Sequence, residues 1–80
     1  MPPMEPSREE KLQAHLMATD DEFRRLASEH SDYALKLQEL GARQRLTAEE
    51  QLEEVRLKKL KLRSKDAMQR ILQSSAREVA

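Results

Sequence analysis

The single glycine of this chain, Gly41, stands directly after an apolar run spaced alternately by three and four residues, and six residues before a second helix-start signal. On the near side, Leu16, Phe23, His30 and Leu37 take one heptad position, and Leu12, Thr19, Leu26, Tyr33 and Leu40 take the other. Over these heptads only Thr19 and His30 interrupt the apolar stripe, which is the pattern of an amphipathic helix with a coiled-coil seam. On the far side, Thr47-Ala48-Glu49-Glu50 matches the capping box, in which a Thr hydroxyl and a Glu carboxylate each satisfy a backbone N–H of the other. A helix that stops and restarts within about six residues joins antiparallel neighbours. Gly41 is expected to close the first helix in a left-handed cap.

The expected fold is therefore all-α: an antiparallel two-helix coiled-coil hairpin that dimerises into a four-helix bundle. The lead 1–6, with three prolines, is expected to be disordered. The hairpin occupies 7–75, as a helix over 7–40, a turn over 41–47 and a helix over 48–73, and a tail over 74–80 frays. Ser7-Arg8-Glu9-Glu10 supplies a capping box for the first helix, and Thr19-Asp20-Asp21-Glu22 supplies another inside it, which offers a main helix beginning at Asp20 as the alternative. With no Gly or Pro between Ser7 and Leu40, one continuous helix is the expectation.

The second helix differs from the first. At 100° per residue, Leu57, Leu60, Ala67, Met68 and Ile71 share a stripe centred on Ser64, while Leu52, Val55 and Leu62 fall on nearly the opposite side. One stripe is covered by the first helix, and the other calls for a partner. Pairing numbers that sum to about 88 brings Ile71 to Leu16, Ser64 to Phe23 and Leu57 to His30 and Tyr33. The intra-hairpin seam is thus Leu16, Phe23, Leu26, His30, Tyr33, Leu37, Leu40, Leu57, Leu60, Ser64, Met68 and Ile71. Ser64 is expected to be small so that the Phe23 ring fits.

Charge agrees with this pairing. The chain is neutral, but residues 1–40 carry five Lys/Arg against nine Asp/Glu and residues 41–80 carry ten against six, a balance of −4 and +4. The register places Glu22 and Glu29 near Lys59, Arg63 and Lys65, an alignment effect rather than a large stabilisation. Asp20/Arg24, Asp21/Arg25 and Asp32/Lys36 offer pairs along the outer face of the first helix.

Little in the chain suggests chemistry. There is no cysteine, no Gly-rich phosphate loop and no nucleophile elbow, so no catalytic, cofactor-binding or metal-ligating residue is assigned. Glu29-His30, and His15 with Asp20, lack the spacing of a metal site. His30 is read as a buried or half-buried seam residue, hydrogen-bonded locally. Neither a signal peptide nor a run of eighteen apolar residues is present, and a cytoplasmic protein without membrane or small-molecule partners is expected. The rival function is a basic-helix protein that binds nucleic acid or the ribosome through Lys58, Lys61 and Lys65. Against it, the seven Lys/Arg from Arg56 to Arg70 fall in two rows flanking the leucine stripes, as snorkelling side chains do.

Phe23-Arg24-Arg25-Leu26-Ala27-Ser28-Glu29-His30, Leu46-Thr47-Ala48-Glu49-Glu50 and Leu57-Lys58-Lys59-Leu60-Lys61-Leu62-Arg63-Ser64-Lys65-Asp66 resemble the YdcH family of small bacterial proteins of unknown function. The resemblance covers roughly Asp20 to Leu72. It implies a cytosolic helical hairpin with no catalytic or ligand residues to carry over, and Ser64 departs from the apolar residue expected there. The resulting expectation is a structural or protein-interaction module whose partner is a second copy or another helical protein.

Overall fold

The computed structural model describes residues 7–79, and over these the chain is all-helical, with no strand among the described residues. Three helices replace the two expected: α1 (Arg8–Thr19), α2 (Asp21–Gly41) and α3 (Ala48–Val79). The disordered lead expected over 1–6 lies outside the described residues. So does Ala80, the last residue of the expected frayed tail, but α3 stays helical through Ser74–Glu78 to Val79.

The break between α1 and α2 has a local cause. Asp20 takes extended backbone angles, φ −115° and ψ 109°, and ends α1 with its N–H donating to the Leu16 carbonyl at 2.8 Å. Its carboxylate then accepts from the Phe23 N–H at 3.0 Å and so starts α2. An aspartate is well suited to both tasks, because its short side chain competes for backbone N–H groups that a continuous helix would use. The continuous helix over 7–40 is thus corrected, and the alternative start at the Thr19 capping box falls one residue later, with Asp20 as the cap. The Thr19 hydroxyl turns back instead and donates to the His15 carbonyl at 2.8 Å. Ser7, in extended conformation, accepts from the Glu10 N–H at 3.1 Å and starts α1.

Gly41 also departs from expectation. No described residue has a positive φ, and Gly41 is the last residue of α2, followed by the right-handed cap Ala42. The terminal carbonyls are met by ordinary backbone bonds, from the Ala42 N–H to Gln38 at 3.1 Å and from the Arg43 N–H to Leu40 at 3.2 Å. At the start of α3 the capping box is complete. The Glu50 N–H donates to the Thr47 hydroxyl at 3.1 Å, and the Thr47 N–H donates to the Glu50 carboxylate at 3.0 Å.

Packing follows from these ends. The most extensive contact is between α2 and α3, and the start of α2 meets the far part of α3. Leu16, Phe23 and Leu72 form the buried cluster, with Leu12, Met68 and Ile71 packed around it. The 49 Å long dimension equals the ~48 Å that 32 helical residues span. The second dimension, 34 Å, exceeds the roughly 20 Å of two helices side by side. α1 turns at Asp20 and lies against both other helices at their shared end.

Candidate interaction surface

The described surface offers an apolar stripe and, between α1 and α3, a cleft. On α3 the packed side is built from Leu57, Ser64 and Leu72, all buried, with Leu60, Ala67, Met68 and Ile71 half-buried beside them. Leu52, Val55 and Leu62 stand on the opposite side and are 72%, 51% and 59% exposed. They span ten residues, ~15 Å along the helix. Leu35 on α2 is as open as Leu62, but it has no exposed apolar neighbour three or four residues away and forms no stripe.

The residues expected in the inner seam are distributed as follows. Leu16, Phe23, Leu57 and Ser64 are buried, and Leu26, His30, Tyr33, Leu37, Leu40, Leu60, Met68 and Ile71 are half-buried. Leu72 is absent from the expected seam yet only 4% exposed, and it is the buried α3 member of the Phe23 cluster. It becomes internal because α1, once turned at Asp20, brings Leu12 and Leu16 onto the flank of α3 that a straight helix pair leaves open. A period-3.6 count on α3 alone places Leu72 at the stripe's edge; only the position of α1 decides its burial.

Ser64 resolves its own polarity. Its hydroxyl donates to the Lys61 carbonyl, one turn back, at 2.8 Å, so a polar side chain sits in the packed face without an unpaired donor.

The ion pairs differ from the expected ones. Arg24 pairs with Asp21 in place of Asp20, Arg56 with Glu53 at 3.6 Å and Lys58 with Glu54 at 3.4 Å, while Arg43 meets Glu50 across the turn. Among the described residues no ion pair links Glu22 or Glu29 to Lys59, Arg63 or Lys65. The Thr47 backbone N–H, and then the Thr47 hydroxyl and Arg43, hold the Glu50 carboxyl below the ordinary carboxylate range despite partial desolvation.

The three lysines proposed for nucleic acid are not equivalent. Lys58 is engaged by Glu54, Lys61 is half-buried against the packed side, and Lys65 is exposed without an ion pair among the described residues. They do not form one open row.

Between α1 and α3 lies an open cleft of about 480 Å³, floored by Leu12, Leu72 and Ala76 and edged by Arg8, Glu9, Gln69 and Gln73. It exists because α1 turns at Asp20, and nothing in the periodicity of the sequence announces it. Among the described residues no three His, Asp or Glu side chains are gathered to hold a metal ion. No helix among them is long and apolar enough to cross a membrane. No family model, curated protein or solved structure matches the chain.

Proposed function

We propose that this protein is a non-catalytic helical-hairpin interaction module, kin to the YdcH-like chains it resembles, which self-associates through the outer stripe of α3. The observation that carries this reading is the exposure of Leu52, Val55 and Leu62 on the side of α3 facing away from its own packing. A row of open aliphatic side chains on one helix face is a surface that a second helix covers. In the resulting dimer the two α3 helices lie at the centre of a four-helix core, each α2 lies outside, and each copy adds its α1.

Leu62 is 59% exposed, so Leu62→Glu removes the association without touching the internal packing. Sedimentation equilibrium of the wild type is expected to show a monomer–dimer equilibrium with a dissociation constant on the order of 10 µM, as a short stripe gives, and Leu62→Glu is expected to be monomeric with unchanged helix content. A wild-type chain that stays monomeric well above that concentration rejects the reading. The nucleic-acid alternative has less support, because Lys61 is half-buried and Lys58, though exposed, pairs with Glu54 at 3.4 Å. Labelled RNA binding that collapses with salt and with charge reversal at Lys58, Lys61 and Lys65 would favour it instead.

A further inference from the structure

The charges around the outer stripe choose between the ways two copies can meet. Counted as a heptad, the stripe continues through Leu52, Val55, Lys59, Leu62 and Asp66, with Glu49, Arg56, Arg63 and Arg70 along one border and Gln51, Lys58 and Lys65 along the other. We infer that a second copy docks antiparallel, α3 on α3, with Leu52 of each copy against Leu62 of the other and Glu49 of each beside Arg63 of the other. This inference rests on the self-association proposed above.

A parallel pair brings like charges together in its seam and along its borders. It stacks Lys59 on its own copy and Asp66 on its own copy, and its borders set Lys58 beside Arg63 and Lys65 beside Arg70. Like charges so placed disfavour an alignment even where each pair is weak.

In the antiparallel pair, Leu52 meets Leu62 twice and Val55 packs on the alkyl stem of Lys59 twice, so all three open aliphatic residues are covered. Glu49 and Arg63 are both exposed and free of ion pairs among the described residues, and they become neighbours at each end. Near the two-fold axis Arg56 approaches Arg56 and Lys58 approaches Lys58, but each already carries its own counter-charge, Glu53 at 3.6 Å and Glu54 at 3.4 Å.

Neighbouring antiparallel registers are worse. Slipping one heptad toward the N-terminus puts Leu62 opposite Arg45, which precedes α3, and leaves it uncovered. Slipping one heptad the other way puts Arg56 beside Arg63 and Leu52 opposite Gln69.

The chain has no cysteine, so cross-links report the geometry directly. Leu52→Cys and Leu62→Cys chains, one carrying a mass tag, are mixed and oxidised, and the 52-to-62 product is expected to dominate over either self-linked product. Dominant 52-to-52 and 62-to-62 products would establish a parallel pair and overturn the inference while leaving self-association intact. As a check that spares the leucines, Glu49→Arg and Arg63→Glu are each expected to weaken the dimer about threefold to tenfold, and the double exchange to restore it. A dimer indifferent to both single changes would also overturn the inference. A monomeric wild type would remove the self-association beneath it.

Discussion

The Asp20 carboxylate accepts a hydrogen bond from the Phe23 backbone N–H at 3.0 Å, so the residue that ends α1 also seats the helix carrying the most deeply buried side chain, 2% exposed. Replacing Asp20 by Ala removes the cap and its extended-backbone preference together. The expected loss is about 1 kcal/mol, within the 0.5–2 kcal/mol range for N-caps. Asp20→Asn, which can make the same bond, should stay near the wild type. Urea unfolding followed by circular dichroism measures both. An Ala variant as stable as the wild type would mean that the chain prefers a straight helix through this point.

Gly41 leads to the opposite sign from its sequence reading. A left-handed cap would make Gly41→Ala costly, but Gly41 has a right-handed conformation and an added Cβ meets nothing within 4 Å. Alanine then gains helix propensity and restricts the unfolded chain, and Gly41→Ala should stabilise by about 0.4–1 kcal/mol. A fall in the melting temperature would show that this glycine needs freedom no alanine has.

Ser64 is buried beside helix backbone, with its hydroxyl bonded to the Lys61 carbonyl. Ser64→Ala removes donor and acceptor demand at the same site and should change stability by less than about 1 kcal/mol. Ser64→Leu inserts two more heavy atoms into a filled face and should cost about 1–3 kcal/mol. A higher melting temperature for Ser64→Leu would indicate a void opposite Ser64.

These three residues also show what periodicity can and cannot reveal. Spacing distinguishes the two sides of α3, because which side chains share a face depends only on the 3.6-residue turn; Leu57 and Leu62 fall on opposite sides on that ground alone. It does not decide the path at Asp20, where the heptad pattern runs on unbroken and the break is made by the aspartate's own bond to the Phe23 N–H. Capping boxes share this limit. Ser-x-x-Glu at Ser7 and Thr-x-x-Glu at Thr47 both mark helix starts, yet at Thr19 the cap falls one residue later, on the aspartate. The Gly41 cap was illegible for a related reason: the turn runs on right-handed backbone through Ala42, and composition does not reveal φ. The cleft above Leu72 depends on α1's direction and so had no signature at all.

Glu50 predicts an acid response at the turn. Its carboxylate is held below the ordinary range by the Thr47 N–H first, and in the unfolded chain it returns to that range. A group whose folded pKa is lowered contributes stability that is complete above the unfolded pKa and is lost as pH falls through the folded one. The wild type should therefore lose stability below the ordinary carboxylate range more steeply than Glu50→Gln, and the two should differ least at the acid end. Urea midpoints taken from neutral to acid pH check this, and parallel curves would remove Glu50 from the acid response.

Leu72 tests the packing most directly, because the simple two-helix register gives the inner position to Ile71 instead. Leu72 is 4% exposed within the Leu16–Phe23 cluster, whereas Ile71 is half-buried beside it. Truncation at a closed site loses the transfer free energy of three heavy atoms and leaves a cavity, so Leu72→Ala should cost about 2–5 kcal/mol. That is comparable to the ~3–5 kcal/mol a core of this size supplies, and the variant should be largely unfolded at 37 °C. Ile71→Ala should cost less, and Leu35→Ala, at a residue 59% exposed, should stay within about 0.5 kcal/mol of the wild type. Deleting α1 should nearly erase the difference between Leu72→Ala and Ile71→Ala, since α1 is what closes the site over Leu72. If Leu72→Ala were tolerated in the full chain, α1 would not be docked on α3 in solution.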